Sequence, residues 1–212
     1  DRDDGGAVYI YDVTTGEVIQ NIQASSSEYT QVSRRGYAVD ISGDYVIMGA
    51  PYNRSGGDTG GRAYLWHIPT GTILTLYNPK ASNGDYFGMT VAISGDYAVV
   101  GAQFEDDPRV NSGHAYVYRV STGALIQSLE NPNTYSTADH DNFGSAVAIS
   151  ENYIMIGAVG EDSRTGPWNY TTGVSSGTAY IFSINEDAGN VTIPLVQTLF
   201  NPNAVGTSYN DY

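Results

Sequence analysis

The residues best placed to do chemistry in this chain sit in two acidic stretches. Glu105-Asp106-Asp107 begins four residues after Gly101, and Glu161-Asp162 begins four residues after Gly157. Clustered carboxylates with loop carbonyls suit a hard cation such as calcium, which takes about six to eight oxygens. The same side chains also hydrogen-bond their own backbone in turns and keep a surface soluble. The matching stretch of an earlier unit, Asn53-Arg54-Ser55-Gly56-Gly57-Asp58, has no such cluster, which favours the turn reading over low-affinity calcium capture. Three histidines (His67, His114, His140) are the whole supply of imidazole for base catalysis or metal ligation. They share no motif spacing and are expected as surface or loop residues. Cysteine is absent, so thiolate nucleophiles, thiolate zinc sites and disulfides are excluded. Nothing resembles a nucleophile–base pair or a phosphate loop. The reading is therefore non-enzymatic, with no catalytic, cofactor-binding or metal residue assigned. Three glycosylation sequons, at Asn53, Asn169 and Asn190, fall in predicted loops.

What must position these loops is an internal repeat. Gly43-Asp44-Tyr45-Val46-Ile47-Met48-Gly49-Ala50 returns as Gly95-Asp96-Tyr97-Ala98-Val99-Val100-Gly101-Ala102, and again as Glu151-Asn152-Tyr153-Ile154-Met155-Ile156-Gly157-Ala158. A second block appears four times, at Gly6-Ala7-Val8-Tyr9, Gly61-Arg62-Ala63-Tyr64, Gly113-His114-Ala115-Tyr116 and Gly177-Thr178-Ala179-Tyr180. The two blocks keep phase while the segments between them change length, which places the insertions in surface loops.

Each unit reads as four short strands. The first alternates (38–42, 90–94, 146–150) and meets the second through a two-residue turn, Gly43-Asp44, Gly95-Asp96 or Glu151-Asn152, of types that tolerate positive φ. The second is apolar on both faces, so it belongs inside its sheet. Its closing glycines, Gly49, Gly101 and Gly157, are expected where another backbone passes close by. The third puts aromatics on one side (Tyr9 and Tyr11, Tyr64 and Trp66, Tyr116 and Tyr118, Tyr180 and Phe182) and Ile10, Leu65, Val117 and Ile181 on the other. Aromatics so placed read as core between sheets, not as a sugar-stacking platform. The fourth follows a Thr-Gly turn, carries Ile22, Leu76, Leu129 or Leu199, and in three units ends at Asn-Pro (Asn78, Asn131, Asn201).

Four-stranded antiparallel units of this length predict an all-β fold, a β-propeller or propeller segment of about three and a half blades. The chain of 212 residues reads as a single domain, 1–212, with a partial blade at 6–23 and blades at 36–78, 88–131 and 144–201. Its 9 basic residues against 23 acidic ones give a net charge of -14, which argues against nucleic acid and anionic membrane surfaces as partners. No apolar run approaches the ~20 residues of a membrane helix. The absence of an initial Met predicts a processed or cut N-terminus.

Tyr86-Phe87-Gly88 and Asn142-Phe143-Gly144, each followed by Val-Ala-Ile-Ser and then Gly-Ala, resemble the FG-GAP repeat, the blade motif of integrin α-subunit-type propellers. One unit departs from it, with Arg35-Gly36-Tyr37 in place of Phe-Gly. The resemblance implies a propeller with an extracellular adhesive or scaffold role, and no single activity. Many integrin-type blades carry an Asp-x-Asp-x-Asp-Gly calcium loop between the first two strands. Here that connection has shrunk to a two-residue turn, so those metal sites are not carried over. Asp85 and Asp141, two residues before Phe-Gly, are expected to cap turns between blades.

The strand count is 14, because the chain opens on the third and fourth strands of a blade. Either it is a segment of a longer protein, or another copy completes it in trans by strand addition. The functional expectation is an extracellular, cell-surface or virion-surface module that binds a protein or glycan ligand through its loop face. The alternative is a structural subunit of an extracellular filament or virion that self-associates through its open ends.

Overall fold

The computed structural model describes residues 5–23, 33–54, 60–107, 110–132, 140–161 and 177–200. Asn169, Asp162, the 55–58 part of the first loop and the Asn201-Pro202 strand end lie outside them. The described residues form sixteen strands and no helix. Sheet I pairs β1 (Ala7–Tyr11) with β2 (Val18–Gln23). Sheet II runs β3 (Val39–Ser42), β4 (Tyr45–Ala50), β5 (Arg62–His67), β6 (Thr72–Tyr77). Sheet III runs β7 (Thr90–Ser94), β8 (Tyr97–Ala102), β9 (His114–Arg119), β10 (Leu125–Glu130). Sheet IV runs β11 (Phe143–Ser150), β12 (Tyr153–Ala158), β13 (Thr178–Ser183), β16 (Leu195–Phe200). Every neighbouring pair is antiparallel, as in propeller blades.

The registers follow from the pattern. Ser42 pairs Tyr45 and Ser94 pairs Tyr97 across two-residue turns, with Gly43 and Gly95 at positive φ. Glu151 takes the same left-handed conformation without being glycine, at φ 51°. The sheets then stack face to face. The aliphatic side of sheet II (Ile47, Leu65, Leu76) packs on the aromatic side of sheet III (Phe87, Ile93, Tyr116, Tyr118). Val99, Val117 and Leu129 of sheet III meet Phe143, Ile156, Tyr180 and Phe182 of sheet IV in the same way. Val8 and Ile22 of sheet I cover Val46, Met48 and Tyr64 of sheet II. Each large apolar side chain so buried is worth about 1.5–3 kcal/mol.

Sequence patterning missed one element. β14 (Asn185–Asp187) and β15 (Asn190–Thr192) form a hairpin inserted between the third and fourth strands of sheet IV. It reaches back to sheet III, where Glu186 accepts from the Tyr97 hydroxyl and pairs with Arg119 at 2.9 Å. The Ile193 N–H donates to Gln127 Oε1 at 3.2 Å. Three strand-forming residues a side are too short to show a period.

The closing glycines behave as expected at two of three positions. A Cβ on Gly49 would lie 1.9 Å from the Gly88 carbonyl oxygen, and one on Gly101 would lie 2.3 Å from that of Gly144. At Gly157, the nearest atom would be the Ala146 Cβ at 3.3 Å. Gly49→Ala should therefore lower stability by about 2–3 kcal/mol through forced separation of sheets II and III. Gly157→Ala should cost less than about 1 kcal/mol. Paired urea titrations check this, and equal costs would contradict the inter-sheet account.

Candidate functional site

Where two consecutive blades meet, four separately placed residue types converge. At the junction of sheets II and III, Asn78 follows β6, Asp85 precedes Phe87-Gly88, Glu105 follows β8 and Tyr116 sits on β9. The Asn78 amide Nδ2 donates to Asp85 Oδ2 at 3.0 Å and to Glu105 Oε2 at 3.3 Å. The Tyr116 hydroxyl lies 2.7 Å from both Glu105 oxygens. The Ser82 N–H donates to Asp85 Oδ2 at 2.6 Å, so Asp85 caps a turn, and it is linked to Glu105 of the next blade through the shared Asn78 amide. The arrangement recurs between sheets III and IV. There Asn131 Nδ2 donates to Asp141 at 2.9 Å and to Glu161 at 3.0 Å, and the Tyr180 hydroxyl donates to Glu161 at 3.0 Å.

Both glutamates of the acidic loops thus point into the protein, at 2% and 3% exposure. Asp106 accepts from the Asn111 N–H at 2.8 Å, and Asp107 pairs with Lys80 at 2.7 Å. Among the described residues, no three His, Asp or Glu side chains converge so as to hold a metal ion. Each of these carboxylates instead has a protein partner.

Burial raises the Glu105 carboxyl to about 7, against the opposing hydrogen bonds from Tyr116 and Asn78. Burial likewise raises Asp85 to about 6. The Tyr116 and Tyr180 phenols are driven up by burial and by the carboxylates beside them, so both stay protonated donors.

The histidines are not brought together. His67 closes β5 with Nδ1 2.7 Å from Thr70 Oγ1, and His140 is exposed. His114 departs from the expected surface position. It is fully buried, stacked on Tyr116 with ring centroids 5.9 Å apart, 3.6 Å from Glu105 and 3.8 Å from Glu130. Burial lowers its pKa, which keeps it neutral.

The first junction is built with the opposite polarity. Arg35 takes the place of the phenylalanine and lies over the Tyr64 ring at 4.0 Å, donating to the Gln23 carbonyl. Asn53 takes the place of the glutamate. Its Nδ2 donates to the Tyr64 hydroxyl at 3.0 Å, and its Oδ1 accepts from Arg62 at 3.1 Å. A guanidinium inside the junction goes with a neutral amide in place of the acid, and the tyrosine changes from donor to acceptor. Asn53 is only 2% exposed, so this sequon nitrogen is engaged in the interior. Asn190, by contrast, is exposed on β15.

The loops that supply the junction acids also carry an unforeseen feature on their outer side. Tyr37, Tyr52, Tyr86 and Phe104 form a continuous row, with ring centroids 6.1, 5.1 and 5.6 Å apart. Tyr37 is 48% exposed, the others are half-buried, and the Arg34 guanidinium lies 4.3 Å above Tyr52. Tyr52 and Phe104 each stand three residues after a closing glycine, and that equivalence was readable in the sequence.

The FG-GAP repeat model matches residues 75–118 and 136–182, which hold the whole first acid–amide junction and, of the second, Asp141, Glu161 and Tyr180 but not Asn131. The chain carries FG-GAP repeats. FG-GAP propellers are generally non-enzymatic and often serve in binding. The matched segments include Phe87-Gly88 and Phe143-Gly144, while the Arg35-Gly36 unit lies outside them. No curated protein matches the chain.

Raised carboxyl pKa values have a defined sign in stability. The folded FG-GAP junction holds protons that the unfolded chain releases between about pH 4 and 7, so these acids favour folding below that window and lose the contribution as pH rises through it. His114 opposes them, since its lowered pKa costs stability on acidification below about 6.5. Glu105→Gln should remove about 2 kcal/mol of the stability gained between about pH 7.5 and about pH 5. Urea titrations of both proteins at the two pH values measure the difference. An unchanged gain in the variant would show that Glu105 is not the group titrating.

Proposed function

We propose that this FG-GAP chain is a non-enzymatic binding module of an extracellular, cell-surface or virion-surface protein, taking a protein or glycan ligand on its loop face. The row Tyr37–Tyr52–Tyr86–Phe104 carries this reading. Partly exposed rings held at fixed spacing by buried junctions offer apolar area with little ordering cost, a common property of contact surfaces. Tyr37 and Tyr52 come from the unit at 36–78, Phe104 from that at 88–131 and Tyr86 from the connection between them, so a ligand lying along the row spans a blade boundary. The loops at 53–60, 104–112 and 160–176 differ in length and sequence, which suits a face specialised for recognition. The net charge of -14 disfavours nucleic acid and anionic membranes as the bound surface. No cofactor is proposed, and calcium has no assigned ligands. Asn190 is the sequon proposed to carry a glycan, since its side chain is on the surface.

The test uses an array of neutral and acidic oligosaccharides and a displayed peptide library as probes, with the wild-type chain and the variants Tyr52→Ala and Tyr86→Ala. Wild-type binding should weaken about three- to tenfold for each ring removed. Binding that survives loss of both rings would move the site off this row. No binding to either probe set would overturn the reading.

A further inference from the structure

Two buried acids and two rings of the outer row belong to the same two chain segments. Asp85 is followed at once by Tyr86, and Phe104 is followed at once by Glu105. The Tyr86 and Phe104 rings meet edge to face, with centroids 5.6 Å apart. Inside the junction, Asp85 Oδ2 and Glu105 Oε2 both accept from one nitrogen, Asn78 Nδ2, at 1% and 2% exposure. Two carboxylates on one neutral amide, out of water, repel each other when both are ionised.

The three junctions differ in this combination. In the first, Tyr52 stands before Asn53, a neutral amide, so rings are present without an acid pair. In the third, Asp141 and Glu161 share the Asn131 amide, but the adjoining residues are Asn142 and Gly160, so an acid pair is present without rings. Among the described residues, the middle junction alone has both.

The groups that face the pair do not cancel its charge. Asp85 receives the Ser82 N–H, and the charge of Asp106 opposes its ionisation. Glu105 faces the Tyr116 hydroxyl at 2.7 Å and the His114 ring at 3.6 Å, and burial keeps both neutral. Lys80 favours ionised Glu105, but it is itself engaged by Asp107 at 2.7 Å and Glu130 at 3.4 Å. Burial outweighs these contacts and raises Glu105 to about 7 and Asp85 to about 6.

We propose that a proton held by the Asp85–Glu105 pair keeps Tyr86 and Phe104 in contact. The row is then continuous in mildly acidic solution and opens at that end in mildly alkaline solution. Once the proton leaves to solvent, the two carboxylates repel across Asn78 and draw apart. Each takes its adjoining ring with it, because no residue intervenes. The Tyr37–Tyr52 contact, where Asn53 replaces the acid, does not respond. Given the reading of the row as a contact surface, a ligand lying along it is held more tightly on the acid side.

Nuclear Overhauser effects between ring protons of the isotope-labelled 212-residue chain test this without any ligand. From about pH 5.5 to about pH 8, the Tyr86–Phe104 cross-peak should weaken severalfold while the Tyr37–Tyr52 cross-peak stays constant. The midpoint should fall between about 6 and about 7. Glu105→Gln removes the repulsion and should keep the Tyr86–Phe104 cross-peak at both values. A circular dichroism melt shows whether this variant is folded, and Asp85→Asn removes the same repulsion if it is not. A wild-type cross-peak that is equal at both values overturns the proposal. So does weakening that persists in Glu105→Gln, which would assign the response to another group, His114 among them. Loss of both ring contacts together also overturns it, as general loosening of the fold. Any oligosaccharide or peptide probe that the wild-type chain retains should bind severalfold more tightly at the acid value, and Glu105→Gln should abolish the difference. If no probe binds, the loop-face reading fails, and the ring contact still decides this proposal.

Discussion

The array depends on one constraint, that the backbone of each unit touches the backbone of the next. The N–H of the residue before the FG-GAP glycine, Arg35, Phe87 or Phe143, donates to Gly5, Gly60 or Ser112 of the preceding unit at 2.8–3.0 Å. A side chain at Gly49 or Gly101 would occupy the same space as a neighbouring carbonyl. Because sheets cannot move apart there, their apolar faces meet at a fixed offset, and each junction closes with the same set of side chains.

That closeness explains why acids are tolerated inside. A buried carboxylate is costly unless it is hydrogen-bonded, and a single asparagine amide serves two of them at each FG-GAP junction. The tyrosine hydroxyl supplies the remaining donor. Tyrosine rather than phenylalanine at positions 116 and 180 is thus set by the glutamate that faces it. The Arg35 junction shows the rule from the other side, where a cation enters, the acid is replaced by Asn53 and the tyrosine hydroxyl accepts.

Strand order, register and the facing of each sheet were legible because the repeat supplies three aligned copies of every position. The role of Glu105 and Glu161 was not. Their position four residues after a glycine was visible, as were Asp85, Asp141, Asn78 and Asn131, but each motif belongs to a different segment and one-dimensional spacing does not show that they meet. His114 was unreadable for a related reason, since its burial comes from Tyr116 and the two flanking acids, not from an apolar neighbourhood in sequence. The β14–β15 hairpin lacked both period and repeat. The aromatic row was partly legible, at Tyr52 and Phe104, and was overlooked because its members alternate between two kinds of loop.

The inserted hairpin gives one blade boundary a contact that the other lacks. Sheets III and IV are braced at both faces, by the asparagine–acid junction on one and by Glu186 with Tyr97 and Arg119 on the other. Sheets II and III have the junction, the exposed Lys80 pairs with Asp107 and Glu130, the Tyr118 hydroxyl on the Tyr77 carbonyl, and the Ile93 and Gly95 N–H groups on the Asp40 and Ser42 side chains, with no inserted hairpin. The hairpin is thus a strut added between sheets III and IV alone, and rising ionic strength loosens its Glu186–Arg119 pair as it loosens the Lys80 pairs between sheets II and III.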